Sequence, residues 1–162
     1  MDVKHRPLLY IETSVFGFYF DAEPRNALRR EAVVTLLNQI RMGILDAFTS
    51  ALTFSELSRT GGSRREELLA LLAEVRTLPL NDNEIDALTE AYVRDGIIPS
   101  DFAEDAVHVA CATLGRADVL VSLNLRHLAN EWVERRIAAT NLHEGHQALR
   151  IRTPEEVLTY ED

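Results

Sequence analysis

The sequence predicts a three-layer α/β/α domain built on a central, mostly parallel sheet. Two observations carry this. Five short apolar segments, LLYI, AFTS, RTLPL, DVLVS and ALRI, alternate with stretches of helical periodicity. Each segment runs for about 4–6 residues with little polar alternation, the pattern of strands covered on both faces. Strands that alternate with helices pair in parallel through right-handed crossovers.

The elements follow in order. Leu8-Leu9-Tyr10-Ile11 is the first strand. Arg25 to Met42 sets Leu28, Ala32, Leu36 and Ile40 on one helical face, and Gly43 closes that helix. AFTS is the second strand, and a short helix in TSALTFSELSRT starts where it stops. Ser63 to Glu66 is a capping box that opens SRREELLALLAEV. Asn81 to Glu84 opens a further helix ending near Gly96. Ser100 caps DFAEDAVHVACATLG, and Thr153-Pro-Glu-Glu156 caps a last helix with proline at its first position. No repeat, low-complexity tract or Pro/Gly/Ser linker divides the chain. Residues 1–162 are therefore expected to form one domain.

Composition narrows the setting. Hydrophobic residues make up 46% and charged residues 27%, as in globular proteins generally. Cys111, the single cysteine, lies among alanines and reads as core packing; it excludes an internal disulfide and fits a reducing compartment. No apolar run approaches the roughly 18 residues of a membrane span, and the N-terminus lacks the pattern of a secretion signal. The expectation is a cytoplasmic protein with no membrane association. The net charge of −9 argues against a simple nucleic-acid binder. That balance misleads where many acids share one metal site and the arginines are clustered. Of the 17 basic residues only Lys4 is a lysine, and arginine prefers planar contacts to phosphate or carboxylate.

Four polar groups from distant segments fall on one predicted sheet edge, the carboxyl ends of the strands, where α/β sheets bind ligands. Glu12 ends the first strand, Glu56 lies in the helix after AFTS, Asp105 in the first turns of DFAEDAVHVACATLG, and Asn124 just after DVLVS. Convergent carboxylates repel unless a cation lies between them. An all-oxygen set with no thiol pair suits Mg²⁺ or Mn²⁺. Taken singly, each has a plainer reading: Glu12 as a solvated strand-end acid, Glu56 as a surface helix residue, Asn124 as a turn residue. Asp105 is harder to dismiss, because small apolar residues surround it. His108, one turn on, is either a satisfied helix histidine or a donor that orients Asp105. Asp101 shares that face or is simply an acid in a first turn. Thr13 and Ser14 are candidate helix caps, and Ser14 is also a candidate to hold a metal-bound water. Other chemistries do poorly: the sequence has no Gly-rich phosphate loop, CxxC, HExxH or GxSxG.

YIETSV, SALTFSEL, DAVHVACAT, DVLVSLNLRHLAN and the closing IRTPEEVL resemble PIN-domain proteins, specifically a bacterial VapC-like subgroup, over essentially the whole chain. D-A-x-H-x-A and N-x-x-H-L-A-N are the most specific segments. The resemblance implies a three-layer α/β fold and a metal-dependent ribonuclease, often the toxin of a toxin–antitoxin pair and usually a homodimer. By position Glu12 matches the first acid of the family, usually Asp. Glu56 matches the second and Asp105 the third. Asn124 falls where many members carry a fourth Asp. Catalytic roles are thus expected for Glu12, Glu56, Asp105 and Asn124, with the three acids holding Mg²⁺ or Mn²⁺. Supporting roles fall to Ser14 and His108, and RNA-backbone contacts to Arg59, Arg64, Arg65 and Arg126. Asn124 removes one negative charge, which weakens any second metal. The partners implied are RNA and a cognate antitoxin. Two rivals stand beside this: a non-catalytic PIN-like module for RNA or protein, and a receiver-like phosphoryl-transfer domain. The second needs a lysine near the acids, and Lys4 precedes the first strand.

Overall fold

We describe residues 6–159 of a computed structural model. Five strands form one parallel sheet in the order β3-β2-β1-β4-β5, with β1 Leu8–Ile11, β2 Asp46–Thr49, β3 Arg76–Thr77, β4 Val119–Val121 and β5 Arg150–Arg152. All four pairings are parallel, and Tyr10 lies level with Phe48 on one side and Leu120 on the other. Successive strand residues face opposite ways, and here both faces are apolar. Tyr10, Phe48, Leu120 and Ile151 pack under α5 (Asp82–Arg94), α6 (Ala103–Leu114) and α7 (Glu131–His143), against Tyr92, Val109 and Ile137. Leu9, Ile11, Ala47 and Val121 pack on the other face. Their cover is α1 (Thr13–Phe18), α2 (Ala27–Arg41), α3 (Ala51–Ser58), α4 (Ser63–Leu72) and α8 (Pro154–Thr159), through Phe16, Leu36, Leu57, Leu72 and Val157. The architecture is the expected three layers. Each fully buried Leu or Ile contributes about 1.5–3 kcal/mol.

Several expected details differ. The first long helix begins as a 3-10 turn at Pro24–Asn26 and becomes α-helical at Ala27. Its buried residues are Ala32, Val33, Leu36 and Leu37, and Leu28 is exposed. At about 100° per residue Leu28 lies roughly 110° round from the centre of that stripe. The capping box at Ser63 does not form: Gly62, at φ 72°, takes the cap position and Ser63 is already helical. Ser100 opens a 3-10 turn, Ser100–Phe102, rather than capping α6 directly. Asn81 does cap α5, its Oδ1 accepting the Glu84 amide at 3.0 Å. Thr153 and Glu156 cap α8 reciprocally, at 3.0 and 3.2 Å. RTLPL yields only the two-residue β3, since Pro79 has no amide to continue a ladder. The sequence reading assigns no element to 131–143, yet α7 fills it. Two of its four buried residues, Thr140 and Asn141, are polar, which hides the apolar period.

Candidate active site

The chain leaves β1 in one direction, through β2 and β3, and in the other through β4 and β5, so the order reverses between β1 and β4. Crevices form at such a point, outside the carboxyl ends of the strands. Glu12 follows β1, with its amide donating to the Val121 carbonyl at 3.2 Å. It is 5% exposed, and its Oε1 accepts hydrogen bonds from Ser14 and, at 2.7 Å, from Ser122. Ser14 in turn accepts the Leu123 amide at 2.9 Å, and Ser122 accepts that of Asn124 at 2.9 Å. The two serines thus pin the acid between β1 and β4. Ser14 and Thr13 do not cap α1, whose cap position is Glu12 itself, without a side-chain bond.

Asp105 enters from the first turn of α6. Its Oδ2 accepts from Asn124 Nδ2 at 3.2 Å and lies 3.3 Å from His127 Nδ1. The Asn124 side chain also accepts the His127 amide, at 3.0 Å, so it folds its own turn while reaching the acid. Burial, and next the charge of Glu12, push the Asp105 carboxyl above its ordinary value. The two acids are linked through β4: Ser122 donates to Glu12 and accepts the Asn124 amide, and the Asn124 side chain donates to Asp105.

Glu56 projects from α3 and takes two hydrogen bonds on Oε1, from Thr13 at 2.7 Å and His108 Nε2 at 2.5 Å. The other imidazole nitrogen of His108, Nδ1, is 2.7 Å from the Tyr10 hydroxyl, which lies 2.7 Å from Ser50 Oγ. Burial alone raises the Glu56 pKa, but His108 and Thr13 outweigh it and hold the carboxyl at about 2. Burial lowers that of His108, and Glu56, Glu12 and Asp105 together reverse it into a rise. His108 therefore orients Glu56, not Asp105 as the sequence suggests: in α6 its ring points at α3. The neighbour of Asp105 is His127, which lies in the quoted N-x-x-H-L-A-N segment but receives no role from sequence. Ser122, Tyr10 and Ser50 are likewise unassigned there, since a strand's polar residues give no sign of which acid they meet.

The arginines disperse. Arg59 pairs with Glu104 at 3.1 Å, and Glu104 approaches Glu56. Arg64 pairs with Glu67 at 3.2 Å and lies over the Phe20 ring, 4.5 Å from its centroid. Arg65 and Arg126 are exposed. Of the four, only Arg59 is tied to the residues around the acids. Asp101 lines a cleft of about 330 Å³ with Glu56, Phe102, Glu104 and Asp105.

Do these residues fit a divalent cation? The donors are hard oxygens, as Mg²⁺ or Mn²⁺ requires. Among the described residues the protein hydrogen bonds to Glu12 fall on one oxygen, as do those to Asp105, leaving the other oxygen of each without a donor from them. Among the described residues no three His, Cys, Asp or Glu side chains close into a finished metal cluster. The donor types fit such an ion.

Residues 9–133 match the model of the PIN domain. The chain belongs to the PIN-domain family. PIN domains are generally nucleases, and the fold here is the one the VapC-like motifs anticipate. Two solved structures resemble this PIN domain. VapBC-1 from nontypeable Haemophilus influenzae gives a TM-score of 0.56 at 14% identity, covering 91% of this chain and 98% of that one. PAE2754 from Pyrobaculum aerophilum gives 0.47 at 13% identity, with 96% and 97% covered. At 14% identity the likeness to VapBC-1 is one of fold. No curated protein sequence matches the chain. Among the described residues no helix is long and apolar enough to cross a membrane.

Proposed function

We propose that this PIN domain is a metal-dependent endoribonuclease, the toxin of a type II toxin–antitoxin pair acting in the cytoplasm as a homodimer. The observation that carries the nuclease reading is the hydrogen-bonded link between two acids at the β1/β4 switch point: Ser122 donates to Glu12 and accepts the Asn124 amide, and the Asn124 side chain donates to Asp105. The VapBC-1 name of a structural neighbour supports the toxin reading, and with it a cognate antitoxin as partner. Glu12, Glu56 and Asp105 would hold Mg²⁺ or Mn²⁺, directly or through waters. When bound, such an ion activates water and neutralises charge on the scissile phosphate. The chain's own work is orientation. Ser14 and Ser122 fix Glu12, Thr13 and His108 fix Glu56, and Asn124 and His127 fix Asp105. These contacts leave the free oxygens of Glu12 and Asp105 to face the cation. Arg59, Arg64, Arg65 and Arg126 are the candidate contacts to the RNA backbone.

One observation favours a second reading, a non-catalytic module for RNA or protein: among the described residues no three His, Cys, Asp or Glu side chains stand together as a metal-holding group. A single experiment separates the two. Thermal melts of wild type and Asp105→Asn, with and without millimolar Mn²⁺, run beside an RNA cleavage assay. A bound metal stabilises by RT ln(1 + [L]/Kd). The expected outcome is a Mn²⁺-dependent rise in melting temperature and Mn²⁺-dependent cleavage for wild type, both lost in Asp105→Asn. The metal-free variant should be as stable as wild type or slightly more so, because repulsion by Glu12 is relieved. Wild type showing neither response would leave the binding module.

A further inference from the structure

Phe102 is 44% exposed, although it lines the same cleft as Glu56 and Asp105. A large apolar ring left open beside a cluster of acids needs a reason. Its neighbour is aromatic: the Phe102 and His127 ring centroids lie 4.1 Å apart at an interplanar angle of 43°. His127 is held from behind, its ring at Asp105 and its amide on Asn124. The two rings therefore stand together beside Asp105, with His127 braced by Asp105 and Asn124. The 3-10 turn Ser100–Phe102 presents the outer ring without burying it.

We infer that Phe102, backed by His127, is a stacking platform that holds an unpaired base of the RNA beside the acids; this rests on the ribonuclease reading of the cleft. The physical case is simple. A net charge of −9 gives phosphates little long-range attraction, so local contacts must hold the substrate. Stacking on an aromatic face is independent of charge and indifferent to base identity. A base paired in an A-form helix has both faces covered and cannot reach such a ring, whereas a loop or tail can splay one out. A protein partner seated on Phe102 is the competing occupant, but the ring shares its cleft with Asp105, where a nucleotide must lie for its phosphate to be cut.

The test uses full-length protein and a single-stranded oligoribonucleotide carrying 2-aminopurine, whose fluorescence is quenched by stacking. Protein and RNA are mixed in Mn²⁺ by stopped flow, and cleavage is followed on the same strand and on its duplex. We expect wild type to quench the probe and to cleave the single strand well above the duplex. Phe102→Ala should lose the quench and weaken single-strand binding on the order of tenfold, with Phe102→Trp restoring both. Because the side chain is exposed, neither substitution opens the core. Cleavage that persists with the same KM and no Phe102-dependent quench overturns the platform while the ribonuclease reading stands. A Phe102-dependent quench without cleavage upholds the platform and removes the hydrolytic reading. No quench by wild type, or a Phe102→Ala effect confined to protein association, overturns the platform.

Discussion

An imidazole only 1% exposed keeps its place because both ring nitrogens are satisfied, one by the Tyr10 hydroxyl and one by Glu56. The pair also ties stability to pH. Glu56 has its pKa lowered from 4.5 to about 2, so its contribution is complete above 4.5 and fades as the folded state takes up that proton. His108 has its pKa raised from 6.5, so its contribution is complete below 6.5 and fades as pH climbs through the higher folded value. Both are whole only between those two limits. In chelator, urea unfolding of wild type and His108→Gln should therefore differ most from pH 4.5 to 6.5, with the gap narrowing on either side. A gap that ignores pH would mean the ring packs there without charge. Removing the hydroxyl with Tyr10→Phe leaves a buried ring nitrogen unpaired, at a cost of about 1–3 kcal/mol by the same measurement.

At the scale of elements, α6 decides where Asp105 and His108 stand, and Gly115, which caps its far end, lies against a sheet residue. A Cβ on Gly115 would meet the Phe48 ring at 2.4 Å, and Phe48 is fully buried. Gly115→Ala must shift the helix or the ring, so a loss of about 1–3 kcal/mol is expected in denaturant unfolding. An unchanged midpoint would show that the helix end has room to move. The strands were legible as apolar runs because both sheet faces are covered, and the acids were legible because α/β sheets gather ligands at strand ends. Their partners were not. Which hydroxyl meets Glu12, or that His108 turns to Glu56 instead of Asp105, depends on how α1, α3 and α6 pack, and no local pattern encodes it. Caps divided likewise: Asn81 and Thr153 were readable, but at Ser63 the positive φ of Gly62 took precedence.

At the scale of the molecule, the leucine faces of α2 and α4 are largely consumed by the chain's own sheet, through Leu36, Leu37, Leu68 and Leu72. Leu28, Met42 and Ile44 remain exposed around α2. If they are the dimer contact, light scattering at high micromolar concentration should return twice the mass of the chain, and a monomer there would remove the homodimer from the proposal. The bond from Ser122 to Glu12 spans 110 residues of sequence. That separation governs when the protein becomes itself during synthesis. Of the five strands β1 is made first but sits at the centre of the sheet, and its partner β4 follows only about 110 residues later. Loop closure over such distances slows folding. A nascent chain thus carries Glu12 without Ser122, Asp105 or Asn124, and the constellation closes only once β4 has been made.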